Sequence, residues 1–374
     1  MAWLSDRLEI SRAGAGVNNV RAMEGLRGLA VFLVFLVHFM TLVEPWIQAD
    51  DGLLMGVRAV HSLGNVGVDL FFVLSGYLIY GALMARRQSL GRFWVRRVWR
   101  IYPVFVVMLA LYLLLSWLFP AESKLPEAWG ERAIYVLQNL LLLPGLFPIE
   151  PIITVAWSLS YEWFYYLLVP LLVEGGRLRE RSRKERVATL AFLTAIASLA
   201  FGFFGGPVRL LMFASGMALW EAMSARHFWQ PSSAVGLAAG LSSLLLALLP
   251  LPGAALQPLK FLLLGALFFT LCLAAFQTGR SSLAAGLTWT PLRWLGNMSY
   301  SYYLIHGLAL KASFMLLGQL LPANGEQPMV LLLGLPLFFA ASLVPGFLLF
   351  HFIERPYSLD ATLPKRDLPN VASA

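Results

Sequence analysis

Ten unbroken apolar runs constrain this chain more than any other feature, at roughly 28–45, 64–84, 101–119, 155–173, 187–204, 208–223, 232–250, 258–276, 295–320 and 329–352. In lipid, backbone N–H and C=O groups must bond to one another, which an α-helix achieves within a single segment. The runs are rich in Leu and Ala and lack the two-residue alternation of a membrane β-barrel. With 59% hydrophobic residues against 13% charged, little sequence is left for a soluble domain. The expected fold is all-α, a polytopic helical bundle of about ten transmembrane helices embedded in a lipid bilayer.

Charge placement orients the bundle. The net charge of +8 sits in short loops between apolar runs, a pattern of loops facing anionic lipid, so no nucleic-acid partner is expected. The basic stretch from Arg86 to Arg100 belongs on the cytoplasmic side, which sets the N-terminus inside. The Arg-rich stretch from Arg177 to Arg186 returns to that side only if 133–148, short and broken at Pro144-Gly145, is re-entrant or interfacial. Ten spans with both termini cytoplasmic then satisfy every loop. Residues 1–22 lack a signal-peptide pattern and are expected to form a cytoplasmic segment, 23–357 the membrane domain, and 358–374 a cytoplasmic polar tail. No further catalytic domain is expected. The one cysteine, Cys272, lies in an apolar run, so neither a disulfide framework nor a Cys-based metal site is expected.

Ionisable residues inside such runs are costly and face a bundle interior or a water-filled cavity, so their positions are informative. In the first run, the eleven steps from Arg27 to His38 rise ~16 Å and turn the chain three times plus ~20°. Both side chains therefore share one helical face, with Glu24 within ~40° of it. His38 and His306 both reach ~15 Å into the bilayer from the cytoplasmic side. Asp69 and Glu162 enter from the other side and are expected at shallower depth towards the exterior. Arg97 and Arg100 lie three apart on a helical face at the cytoplasmic rim, where guanidinium forks suit phosphate groups.

Each residue taken alone has a plainer explanation. Arginines beside a span can serve only topology, a single histidine can be a helix–helix hydrogen bond, and Trp or Tyr can anchor at the interface. Gly64, Gly67 and Gly76 can serve close helix packing. A secondary transporter would also carry midplane histidines and carboxylates, but matched halves with broken helices are not evident here. A non-catalytic scaffold of a glycan pathway is the third reading; it requires neither His38 nor Asp69.

Taken together, the motifs resemble acyltransferase family 3, a family of integral-membrane acyltransferases. The resemblance rests on the Arg27-to-His38 spacing, Gly67-Val68-Asp69 with Phe72-Val73-Leu74-Ser75-Gly76-Tyr77, and Arg97-Val98-Trp99-Arg100-Ile101-Tyr102-Pro103. It continues through Trp157-Ser158-Leu159 with Glu162, Ser299 to His306, and Phe352-Ile353-Glu354-Arg355-Pro356. These blocks occur in family order from about residue 18 to 357; Tyr77 stands where phenylalanine is commoner.

The resemblance implies an acyl group, usually acetyl, taken from cytoplasmic acyl-CoA by an enzyme of the bacterial inner membrane. The acceptor it implies is a hydroxyl of a surface polysaccharide, lipopolysaccharide, periplasmic glucan or glycolipid; a few members modify macrolides inside the cell. His38 is then expected as general base or transient acyl carrier, with Asp69 and Glu162 as catalytic-site carboxylates that orient the base or bind the acceptor sugar. Arg27, Arg97 and Arg100 are expected to hold the coenzyme. Glu24, Ser75, Tyr77, Trp157, Tyr303, His306 and Glu354 are expected to bind the acceptor or support the site, with no metal ion.

Overall fold

A computed structural model describes residues 2–10, 17–251, 253–276 and 281–359. Among them, fifteen α-helices form and no strand does. The first five are α1 (Ala2–Leu8), α2 (Val17–Ile47), α3 (Asp51–Gly64), α4 (Val66–Met84) and α5 (Leu90–Leu118). Then come α6 (Trp129–Leu140), α7 (Trp157–Gly175), α8 (Arg183–Phe204), α9 (Leu211–Met223) and α10 (Ser233–Leu248). The last are α11 (Gln257–Ala275), α12 (Ser282–Leu287), α13 (Thr290–Asn297), α14 (Ser299–Leu320) and α15 (Pro328–Leu349), followed by a π-helical segment, Phe350–Leu359. The ten apolar runs are all helical. Seven stretches, containing α2, α4, α5, α8, α11, α14 and α15, are long and apolar enough to cross a membrane. The other three runs form α7, which is more polar, and α9 and α10, which are shorter: the 16 residues of α10 rise ~24 Å against a hydrocarbon core of ~30 Å.

Three local departures from the apolar pattern have physical causes. The 133–148 run is helical only to Leu140; the 12 residues of α6 rise ~18 Å, too short to span. The chain then reverses through Leu142 (φ 55°) and Gly145 (φ 90°), both left-handed. Buried Asn139 holds the returning loop by accepting the Ile152 N–H at 2.8 Å. The 295–320 run breaks at Met298, where α13 ends and α14 begins. Helix α3, at 14 residues and ~21 Å too short to span by itself, precedes α4 directly; Asp50 caps it by accepting the Leu53 N–H at 3.0 Å. Of the expected segments, residues 1 and 11–16 of the N-terminal one and 360–374 of the polar tail lie outside the described residues. Residues 358 and 359 continue the π-helical segment.

Helices α2 and α4 lie at the centre, their apolar faces buried against neighbours, while α8 turns Phe192, Phe203 and Phe204 outward as a lipid-facing helix does. Small residues bring the central backbones together. At Gly76 of α4, an added Cβ would lie 2.2 Å from the Phe213 carbonyl of α9, and at Gly216 of α9, 2.0 Å from the Val73 carbonyl. Helices α2 and α13 meet through Gly28 and Gly296 in the same way.

Four buried carboxylates then tie elements that the apolar contacts alone would leave free to slide. Asp69 of α4 accepts from Arg209, in the turn before α9, at 2.8 Å. Glu221 of α9 takes both Arg186 of α8 (2.6 and 2.8 Å) and the Tyr80 hydroxyl of α4 (2.7 Å). Glu24 of α2 accepts from Arg293 of α13 at 3.0 Å, and Glu9 from the same guanidinium at 2.6 Å. Glu354 of the π-helical segment accepts from Arg100 of α5 at 2.7 Å. A buried charge left without its partner costs about 3–5 kcal/mol, so each pair selects one packing of its helices.

Candidate active site

Helices α2, α4, α5, α7 and α14 enclose a cleft lined by Arg27, Ser75, Arg100, Ser158, Glu162, Ser299, Tyr300 and Tyr303, with Val68, Phe71, Phe72, Ile101 and Leu159 as its apolar wall. Its empty space, with the open mouth included, is about 610 Å³. Five helices thus contribute polar groups to one apolar-walled space, which is where a transmembrane bundle tolerates them.

Each charged group in the cleft is held. Arg27 donates to Ser299 Oγ at 2.9 Å and to the Gly296 carbonyl at 3.4 Å, and its guanidinium lies 5.8 Å from the Phe71 ring. Arg100 binds Glu354 and stacks 5.5 Å over Tyr300. Glu354 is fully buried and its other oxygen accepts from both the Ser301 N–H (3.0 Å) and Ser301 Oγ (2.7 Å). One carboxylate therefore fixes Arg100 against the first turn of α14. Glu162 accepts the Tyr166 hydroxyl and faces the same cleft. Tyr303 and Ser158 join α14 to α7 through a 2.7 Å hydroxyl contact, in which one donates to the other, and the Val155 carbonyl lies within hydrogen-bond reach of both.

Beside the cleft, one turn beyond Tyr303 on α14, lies His306. Its ring packs 5.0 Å from that of His38 on α2. His38 is half-buried and His306 fully buried. Neither ring lines the cleft wall; Tyr303 connects them to it, since its ring lies 6.1 Å from His306. Helix α2 is continuous from Val17 to Ile47, so Arg27 and His38 lie ~16 Å apart along it, on the face they share.

The structure brings some expected residues together and separates others. Arg27, Ser75, Arg100, Glu162 and Tyr303 share the cleft. Glu162, expected at a different depth from the arginines, meets them because Arg100 lies ten residues into α5, ~15 Å along its axis. Arg97 does not line the cleft; it is half-buried, 5.0 Å over Phe93 and 5.1 Å over Tyr166. Asp69 is 1% exposed and engaged by Arg209, outside the cleft lining. Trp157 packs beneath that arginine at 5.8 Å, and Tyr77 against Phe276 at 5.6 Å. Glu24 is occupied by Arg293. Ser158, Ser299 and Tyr300 belong to the cleft without having been singled out, although all three stand inside the recognised motif blocks. Arg209, Arg293 and Glu221 were also missed; the signal available was an ionisable residue in or beside an apolar run. Among the described residues, no group of three or more His, Cys, Asp or Glu side chains is placed to hold a metal ion.

Comparison with known proteins follows the same residues. The family profile described as an acyltransferase domain matches residues 20–356, which include the cleft, both histidines and Glu354. The acyltransferase MdmB of Streptomyces mycarofaciens is 28% identical over 371 residues, covering 90% of each chain. The peptidoglycan O-acetyltransferase OatA of Listeria monocytogenes is 26% identical over 321 residues, covering 77% of this chain and 49% of its own. The O-acetyltransferase OatA of Staphylococcus aureus (strain NCTC 8325 / PS 47) is 26% identical over 326 residues, 76% and 50% of the two chains. The chain thus spans about half the length of these OatA relatives. No solved structure matches it. With the match running across nearly all of its apolar helices, the chain belongs to the acyltransferase-domain family, as a multi-pass membrane acyltransferase.

Proposed function

We propose that this enzyme moves an acyl group, acetyl in the first instance, from acyl-CoA on the cytoplasmic side to a hydroxyl of an exported or surface glycan or glycolipid. The setting proposed is the bacterial inner membrane. The observation that carries the reading is the continuity of one helix face: α14 lines the arginine-bearing cleft with Ser299, Tyr300 and Tyr303 and presents His306 to His38 one turn further. The OatA relatives are named O-acetyltransferases, which favours a hydroxyl acceptor and an acetyl group.

Arg27 and Arg100 supply fixed positive charge for the donor's phosphates. Neutral His38 takes the proton of the acceptor hydroxyl as that oxygen attacks the thioester carbon. The carbon–sulfur bond then breaks, and the thiolate leaves with the proton that His38 returns. Glu162 and the serine hydroxyls of the cleft are the groups suited to the other hydroxyls of a sugar acceptor. Asp69, held by Arg209, and Glu24, held by Arg293, fix the helices that carry these groups.

Mass analysis of surface glycans from cells with and without the chain tests the assignment. The expected result is an acetyl-sized mass difference on a glycan hydroxyl that disappears with the chain. Identical glycans in both strains, with the chain expressed in one, contradict the acceptor assignment.

A further inference from the structure

We infer that His306 is a positioning residue for His38, its Nε2 accepting a ring N–H of His38 and so leaving His38's other nitrogen bare for the acceptor hydroxyl. The inference rests on the acyl-transfer reading of His38 above.

The two nitrogens of His306 have different surroundings. Nδ1 lies 2.8 Å from the Tyr303 carbonyl and 3.1 Å from the Tyr302 carbonyl. Carbonyl oxygens only accept, so Nδ1 carries the hydrogen. A neutral ring then has a bare Nε2, and that atom is fully buried with no hydrogen-bond partner. Buried acceptors are rarely left without a donor, because the group loses its water and gains nothing in return. The ring is also locked: it stacks on Tyr302, 5.5 Å away and 12° from parallel, and Tyr302 is itself tied to Ser342 at 2.7 Å. His306 is thus a fixed, oriented acceptor.

His38 is the neighbouring group able to supply the N–H. Its ring stands edge-on to His306 at 5.0 Å and 65°. A histidine χ2 torsion is broad, and at this separation rotation of the half-buried His38 ring brings an N–H onto Nε2. Once that bond forms, the tautomer of His38 is set. Its N–H points to His306, and its lone pair points away for the proton transferred from the acceptor. The proton then passes from acceptor oxygen to His38 and on to the departing thiolate, while His306 keeps its own hydrogen on Nδ1 throughout. A residue that fixes tautomer and ring orientation in this way acts on the rate of the chemical step.

Two amide substitutions separate positioning from packing. His306→Asn keeps an N–H in reach of the helix carbonyls, as Asn139 already does towards the Tyr135 carbonyl at 3.0 Å, but places no acceptor at the Nε2 position. His306→Gln reaches the Nε2 position with its amide oxygen. The assay is label transfer from radiolabelled acetyl-CoA to the endogenous glycan of membranes carrying the full chain, at matched folded protein. His306→Ala and His306→Asn are expected to lower kcat by about a hundredfold or more with the donor KM within about twofold, and His306→Gln to recover about tenfold of that loss. His306→Asn at the wild-type rate, or His306→Asn matching His306→Gln, overturns the positioning role and leaves a packing one. If His306→Ala is active while His38→Ala is inactive, the positioning role fails and the acyl-transfer reading stands. If His38→Ala is itself fully active, the acyl-transfer reading of His38 fails and the role of His306 with it.

Discussion

Replacing Gly296 by alanine puts a methyl group where α13 and α2 touch through their backbones. The added Cβ would lie 1.7 Å from the Glu24 carbonyl oxygen and 2.9 Å from the Gly28 nitrogen, whereas ordinary contact begins at 3.4 Å. The helices must separate by 1.7 Å, the difference between 3.4 and 1.7 Å, and neither contact is a side chain that can swing away. Overpacking of this kind costs about 1–3 kcal/mol, and rigid backbone on both sides puts this site near ~3. Alanine returns up to ~1 kcal/mol in helix propensity. The net is ~2 kcal/mol, or about 2–3 °C in thermal midpoint for a chain of 374 residues. The functional effect is larger than the stability effect. Gly296 and Ser299 are both partners of Arg27, and a shift of this size exceeds the slack of the 2.9 Å bond to Ser299. Misplacing a binding group by ~1 Å costs on the order of a hundredfold in rate. Thermal unfolding of the detergent-solubilised protein and label transfer from acetyl-CoA, per folded molecule, measure the two effects. The control is Gly286→Ala in α12, where an added Cβ meets nothing within 4 Å. A Gly296→Ala protein with wild-type melting and transfer refutes the reasoning, as does an equal loss in Gly286→Ala.

Further predictions separate binding from framework. Arg27→Ala with Arg100→Ala, made together with Glu354→Gln so that no buried carboxylate is left without its cation, should raise the donor KM by more than about tenfold, each arginine having lost a charge-assisted hydrogen bond of about 1.5–3 kcal/mol, and Arg97→Ala should change it less. Titration with acetyl-CoA measures this, and a larger effect at Arg97 contradicts the cleft as donor site. Asp69→Leu alone should lower folded yield by leaving the half-buried Arg209 without its anion, a cost below the ~3–5 kcal/mol of a fully buried charge, whereas Asp69→Leu with Arg209→Leu should restore folding and transfer. A double variant that folds but stays inactive would return Asp69 to the chemistry. Tyr166→Phe should leave folding intact and weaken use of the acceptor, because Glu162 loses the hydroxyl that orients it; an unchanged acceptor KM speaks against Glu162 in that role.

The apolar runs foretold helices because hydrophobic length is a property of one segment, and the Arg27-to-His38 stripe was legible because both residues ride one helix. Partners across the fold were not. Asp69 and Arg209 are 140 residues apart, and Glu24 and Arg293 are 269 apart. The cost of a buried carboxylate can be read from its neighbours in sequence, but the guanidinium that offsets it cannot. Arg97 and Arg100 show the same limit at short range. Three residues leave two side chains ~60° apart, enough to send one to Phe93 and Tyr166 and the other to Glu354 and the cleft. The break at Met298 was hidden inside an apolar run; the Asn297 side chain beside it donates to the Leu8 carbonyl at 2.9 Å, a partner 289 residues away. Helix α3 was hidden for the opposite reason: its 14 residues include Asp51, Arg58 and His61, so no long apolar run marks it.

The most direct test of the account is transfer of radiolabelled acetyl from acetyl-CoA in membranes bearing the wild-type chain or its His38→Ala variant at equal folded abundance. Label is expected in the glycan fraction with the wild type and, with His38→Ala, a fall to the level of membranes lacking the chain. Equal labelling by the two proteins would contradict it.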